Sequence, residues 1–251
     1  MKRLDLHVPW LKEMLPEGIL IPGSTLISGP GGTGKPLVEF AFIASWLEAG
    51  GSLIGIPLQY PSGELVGKSL YNLYGLDINQ FHDRVVMVKF DPGEKGCRQE
   101  EDHVLTANLL HPKVWDKTIQ TAEQLLGHAS GPGTMVFGSA LNLLLFSPTY
   151  GEAVLKKMRD LLRGDKERSY FFAVSTTVYE DKIRMLEEAA GNLMYTRMEK
   201  PMRLFLQINR MKGVRFLPEE REVPISEKML REIKQIAEST RTTRIPEIRK
   251  I

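Results

Sequence analysis

The chain lacks most of what would direct it to an oxidising, membrane or metal-bound setting. It has one cysteine, Cys97, in 251 residues, so no disulfide can form within it, which fits a reducing cytosol. A single thiol in a charged stretch is read as incidental. The longest apolar run near the middle, Ala140 to Phe146, falls far short of the roughly 20 residues that span a bilayer. The basic start around Lys2 and Arg3 is followed by no apolar segment of signal-peptide length, so secretion is not expected. Charge of one sign is missing too. Thirty-three basic and 31 acidic residues leave a net +2, and no global field draws the chain to nucleic acid or an anionic membrane. The five histidines, His7, His82, His103, His111 and His128, share no zinc-like spacing with one another or with Cys97. A cytoplasmic protein without a metal site is expected.

What the chain does have is alternation of strand and helix signals. Thr25 to Ser28 reads as a buried strand feeding a glycine-rich turn. Leu37, Val38, Phe40, Ala41, Ile43, Ala44 and Leu47 then recur at helical spacing until Gly50 and Gly51 stop them. Strands are expected over 52–58, 85–90, 135–137 and 170–175, and helices over 63–74, 113–128, around 154–162 and over 181–190. Residues 91–102 read as a charged loop. From 193 the strands 193–198, 203–209 and 221–225 follow without helices between them, which predicts a meander. Met229, Leu230, Ile233 and Ile236 mark a last helix. Residues 241–251 show no apolar period and are expected to be a mobile basic tail behind a single domain of residues 1–240. The fold class is α/β: a mostly parallel twisted sheet flanked by helices, with an antiparallel C-terminal extension.

The strand-to-helix turn carries the one sharp motif. Gly29-Pro30-Gly31-Gly32-Thr33-Gly34-Lys35-Pro36 matches the phosphate-binding pattern G-x-x-x-x-G-K-[ST] at all but its last position. Backbone amides gathered at a helix start favour an anion, and Lys35 adds a charge. Gly29, Gly31, Gly32, Thr33, Gly34 and Lys35 are therefore the candidate nucleotide-binding residues. Pro36 has neither the hydroxyl that would ligate magnesium nor an N–H to donate, yet proline suits a first helical turn. The substitution spares the fold and damages the ligand site.

The stretch Val8 to Lys35, VPWLKEMLPEGILIPGSTLISGPGGTGK, resembles the opening of the KaiC-like branch of the RecA-superfamily P-loop ATPases. The likeness continues at Glu48 to Gly51, Val136 to Leu141, Gln207 to Gly213 and Glu222 to Ile225, and so covers about residues 8–226. It implies a RecA-like P-loop fold, a hexameric ring and ATP bound between subunits. Carried over position by position, the metal-binding hydroxyl falls on Pro36, the strand-end aspartate on Gly138, and the acidic pair that activates water on Gln59 and Tyr60. The basic pair that contacts a neighbour's nucleotide falls, reversed, on Arg210 and Lys212. No acid lies from Gln124 through Gly151, nor from Ala49 to Gly63, so no adjacent residue substitutes.

Magnesium held by side chains and a catalytic residue are accordingly not expected, since phosphoryl transfer depends on both metal and water positioning. The resemblance implies a pseudo-ATPase with weak or vestigial binding of ATP or another nucleotide. Its role would be structural or regulatory, as a homo-oligomer or with an active relative. One alternative is a working ATPase with an atypical metal site. Another is a nucleic-acid-binding relative, but the loops that would face a polymer, Leu143 to Gly151 and Thr176 to Asp181, are apolar and acidic where a phosphate backbone wants Lys and Arg. Tyr71 and Tyr74 are read as packing.

Overall fold

The computed structural model describes residues 2–60, 63–127 and 130–251. His128 lies outside the described residues. An antiparallel pair, β1 (Lys2–Leu4) with β2 (Ile19–Ile21), brackets the short helix α1 (Pro9–Met14). The core then alternates: β3 (Ser24–Ser28), α2 (Lys35–Glu48), β4 (Ser52–Pro57), α3 (Gly63–Tyr74), β5 (Val85–Phe90), β6 (Cys97–Glu101), β7 (Val104–Ala107), α4 (Pro112–Leu125) and β8 (Thr134–Ser139). It continues through α5 (Gly151–Gly164), β9 (Ser169–Ala173), α6 (Glu180–Ala189), β10 (Asn192–Glu199), β11 (Arg203–Arg210), β12 (Arg221–Glu222) and α7 (Glu227–Ile248).

Ten strands form one sheet in the order β12-β11-β10-β3-β9-β8-β4-β5-β7-β6. Neighbours from β10 to β7 run parallel. Both faces are covered, which explains the unbroken apolar runs in the central strands. Successive side chains go to opposite faces. Ile27, Leu53, Phe137 and Phe171 join α2 on one side, while Leu26, Ile54, Val136 and Phe172 join α4, α5 and α6 on the other. Every residue of α2 from Lys35 to Leu47 is buried, so the helix that begins at the phosphate loop is also the centre of one core layer.

The expected meander is present, with β10, β11 and β12 antiparallel in turn. Two expectations need correction. The stretch read as a charged loop contains β6, paired antiparallel with β7. It is an exposed edge strand whose charges hid it: Lys89 meets Glu100 at 3.1 Å and Thr106 donates to Glu100 at 2.6 Å. The expected aperiodic tail after residue 240 instead continues α7 to Ile248. Ile248 is fully buried, and Arg244 lies 5.7 Å from the Phe90 ring. The sequence is polar here and holds Pro246, so the three isoleucines Ile245, Ile248 and Ile251 were the local signal.

Candidate functional site

The glycine-rich loop sits where β3 ends and α2 begins, at the C-terminal edge of the parallel strands, where ligands of open α/β sheets bind. Its shape requires glycine at particular places. Gly29, Gly32 and Gly34 have φ of 147°, 76° and 73°. A Cβ on Gly29 would stand 2.3 Å from the Thr196 carbonyl oxygen. The loop backbone therefore needs glycine at these places. Its side chains are turned inward, however. Thr33 is buried, with its hydroxyl 3.0 Å from the Pro30 carbonyl and 2.8 Å from the Thr196 hydroxyl. The Lys35 ammonium donates to the carbonyls of Gly29 at 2.9 Å and Pro30 at 2.6 Å and to the Thr33 hydroxyl at 3.3 Å. The Gly31 amide donates to the Thr177 hydroxyl at 2.9 Å.

One turn beyond Lys35 stands Glu39, which is completely buried. Its Oε2 accepts from the Ser139 hydroxyl at 2.5 Å, and its Oε1 has no partner among the described residues. Burial raises the Glu39 carboxyl to about 8, with the Ser139 bond and the nearby Lys35 charge opposing. Burial likewise lowers the Lys35 ammonium to about 7, against the attraction of Glu39. Sequence inspection missed Glu39, although its i+4 spacing from Lys35 places both on one helix face.

The three positions that would serve a metal or activate water are filled by packing. Pro36 is buried in the first turn of α2. At Gly138 a Cβ would meet the Leu141 side chain at 2.6 Å, so leucine occupies the room an aspartate needs. Tyr60 is buried with its ring centroid 5.9 Å from that of Phe40, and desolvation pushes that phenol upward. Gln59 accepts a bond from Thr240 at its carbonyl, 2.9 Å. Among the described residues there is no group of three or more His, Cys, Asp or Glu able to hold a metal.

Arg210 and Lys212 lie beside the Ala190–Asn192 turn, at the end of the sheet where β3 starts, away from the loop of their own chain. Arg210 donates to the carbonyls of Glu187 and, at 2.8 Å, Ala190, and so caps the C-terminus of α6. The Lys212 amide donates to Asn192 Oδ1 at 2.9 Å. Of the loops considered for a polymer, the second is open, with Thr177, Val178, Glu180 and Asp181 exposed, and the start of the first is buried. Residues Leu141–Phe146 form a 3-10 helix whose side chains are all buried.

A cavity of about 290 Å³ opens beside the loop. Gly31, Gly32 and Lys35 form one side, and Arg241, Ile245 and Arg249 of α7 the other. These α7 residues were unforeseen, although their i, i+4, i+8 spacing is helical.

No protein-family model matches the chain, and no curated protein matches it in sequence. Solved structures do. The KaiC-like protein PH0186 from the hyperthermophilic archaeon Pyrococcus horikoshii superposes with a TM-score of 0.64 at 11% identity, over 90% of this chain and 95% of that one. The uncharacterized protein PH0321 from Pyrococcus horikoshii, solved in complex with an unknown peptide, superposes with a TM-score of 0.57 at 13% identity, over 86% and 98%. The chain shares the fold of these two structures. Among the described residues, no helix is long and apolar enough to cross a membrane.

Proposed function

We propose that the protein is a non-hydrolysing P-loop module that holds a nucleotide weakly and serves a regulatory or structural role in an assembly, with copies of itself or with an active relative. The observation that carries this reading is Leu141, packed where a carboxylate at position 138 would begin. Pro36 and the buried Tyr60 support it at two further places, and together they leave phosphoryl transfer without metal ligands or a water-positioning group. Weak binding follows from the loop itself: an incoming phosphate must compete with the carbonyls that hold Lys35 and with the Thr177 hydroxyl on Gly31. Assembly is proposed on the family resemblance alone, and light scattering that returns a monomer at micromolar concentration removes it.

The expected outcome is phosphate release from Mg-ATP no faster than in buffer, with calorimetric nucleotide affinity equal in magnesium and in EDTA. Release well above buffer that disappears in Lys35→Ala overturns the proposal. One observation favours a second reading, an ATPase with an atypical metal site: Glu39 brings a carboxylate to the end of β8 from α2, with Oε1 free. On that reading Glu39→Gln abolishes a magnesium-dependent tightening of ATP.

A further inference from the structure

The cavity beside the loop has two charged walls and an apolar floor. On the loop wall, the amides of Gly32, Thr33 and Gly34 donate to no acceptor among the described residues, as expected of a helix start awaiting an anion. On the opposite wall, Arg241 makes no ion pair or hydrogen bond among the described residues. Its Nη1 lies 4.0 Å from where a Cβ on Gly31 would stand. Between the walls Asn142 is only 4% exposed. Its Oδ1 accepts the Ser175 amide at 3.0 Å, which leaves the Nδ2 donor without a partner in a residue that lines the cavity. Leu143, Phe146 and Ile245 form the floor, and the Arg249 guanidinium stacks 5.2 Å from the Phe146 ring. The single acid of the lining, Glu238, is paired with Lys234 at 3.9 Å.

We infer that α7 completes an anion site in cis: Arg241 and the amide of Asn142 face the loop amides across the cavity and take a phosphomonoester with a planar or apolar body, without a divalent cation. The inference rests on the reading that the loop still accepts phosphate. The volume selects the ligand class. At about 290 Å³ the cavity is at the lower limit of small-molecule pockets, roughly 300 Å³, which suits one phosphate and a ring-sized body rather than a triphosphate chain. Charge balance agrees. With Lys35 engaged by the loop carbonyls, Arg241 is the cation at the loop that is free to meet a phosphate, and guanidinium suits phosphate geometry. Neutralisation by an arginine removes the need for magnesium.

The test is calorimetric titration of the full chain with AMP and with inorganic phosphate, first in EDTA and then in magnesium. AMP is expected to bind in EDTA, more tightly than phosphate, and with unchanged affinity in magnesium. Arg241→Gln is expected to weaken AMP by about ten- to a hundred-fold, the loss of one charge-assisted contact. Because Arg241 is exposed, its melting temperature should match the parent. AMP binding that needs Lys35 but is untouched in Arg241→Gln overturns the role of α7 and leaves the loop reading standing. Tightening by magnesium overturns the metal-free site. Failure of AMP and phosphate alike to bind removes the loop reading and this inference with it.

Discussion

The two sides of the site have fared differently. At the end of β3 the loop keeps its glycines, its left-handed backbone and its lysine. At the ends of β8 and β4 the chain has a glycine covered by leucine and a buried tyrosine. The loop is also structural: Gly29 packs against β10, and Leu230 of α7 stands 3.1 Å from where a Cβ on Gly34 would be. A cradle that holds the fold together is retained whether or not it binds. A carboxylate buried at either strand end would cost desolvation, a cost the apolar contacts found there do not carry.

That contrast can be broken from either side. Gly29→Ala should cause the largest loss, about 4 kcal/mol in chemical unfolding, because a side chain there meets both an unfavourable φ and the Thr196 backbone. A loss below about 1 kcal/mol would show the loop to be dispensable to the fold. Gly138→Asp should cost about 3 kcal/mol through overpacking and a buried charge. Combined with Leu141→Ala, it should cost about 1–2 kcal/mol less than the two singles added, since the leucine is what excludes the carboxylate. Strict additivity in that cycle would mean Leu141 does not fill the position.

The smallest expected effect concerns Glu39. In the open chain its carboxyl ionises above about pH 4.5, whereas in the fold it stays protonated to about pH 8, so stability falls as pH rises between them. Lys35, neutral in the fold above about pH 7 and charged in the open chain up to about 10.5, makes stability rise again above that point. The parent should therefore be least stable near pH 7–8. Glu39→Gln should lose the falling limb and gain roughly 2 kcal/mol at pH 7.5, measured by urea unfolding across pH. A variant whose curve runs parallel to the parent's would place the titration elsewhere.

Much of the fold was legible. Residues 63–74 and 85–90 were bounded as found for α3 and β5, and the meander follows from three strand patterns without intervening helices. β6 was not legible, because an edge strand with four exposed residues has no apolar face to alternate. Within the site, the loop glycines could be named from spacing, while Glu39 was passed over inside a helix read for its apolar positions.

Local periodicity sufficed by itself for the alternating strands and helices and for the glycine-rich turn between β3 and α2, since each depends on neighbours in the chain. Tertiary structure alone decided what faces that loop. Glu39 reaches Ser139 across 100 positions, and Thr240 reaches Gln59 across 181. Such contacts arise from how layers stack, and no periodicity within a segment encodes them.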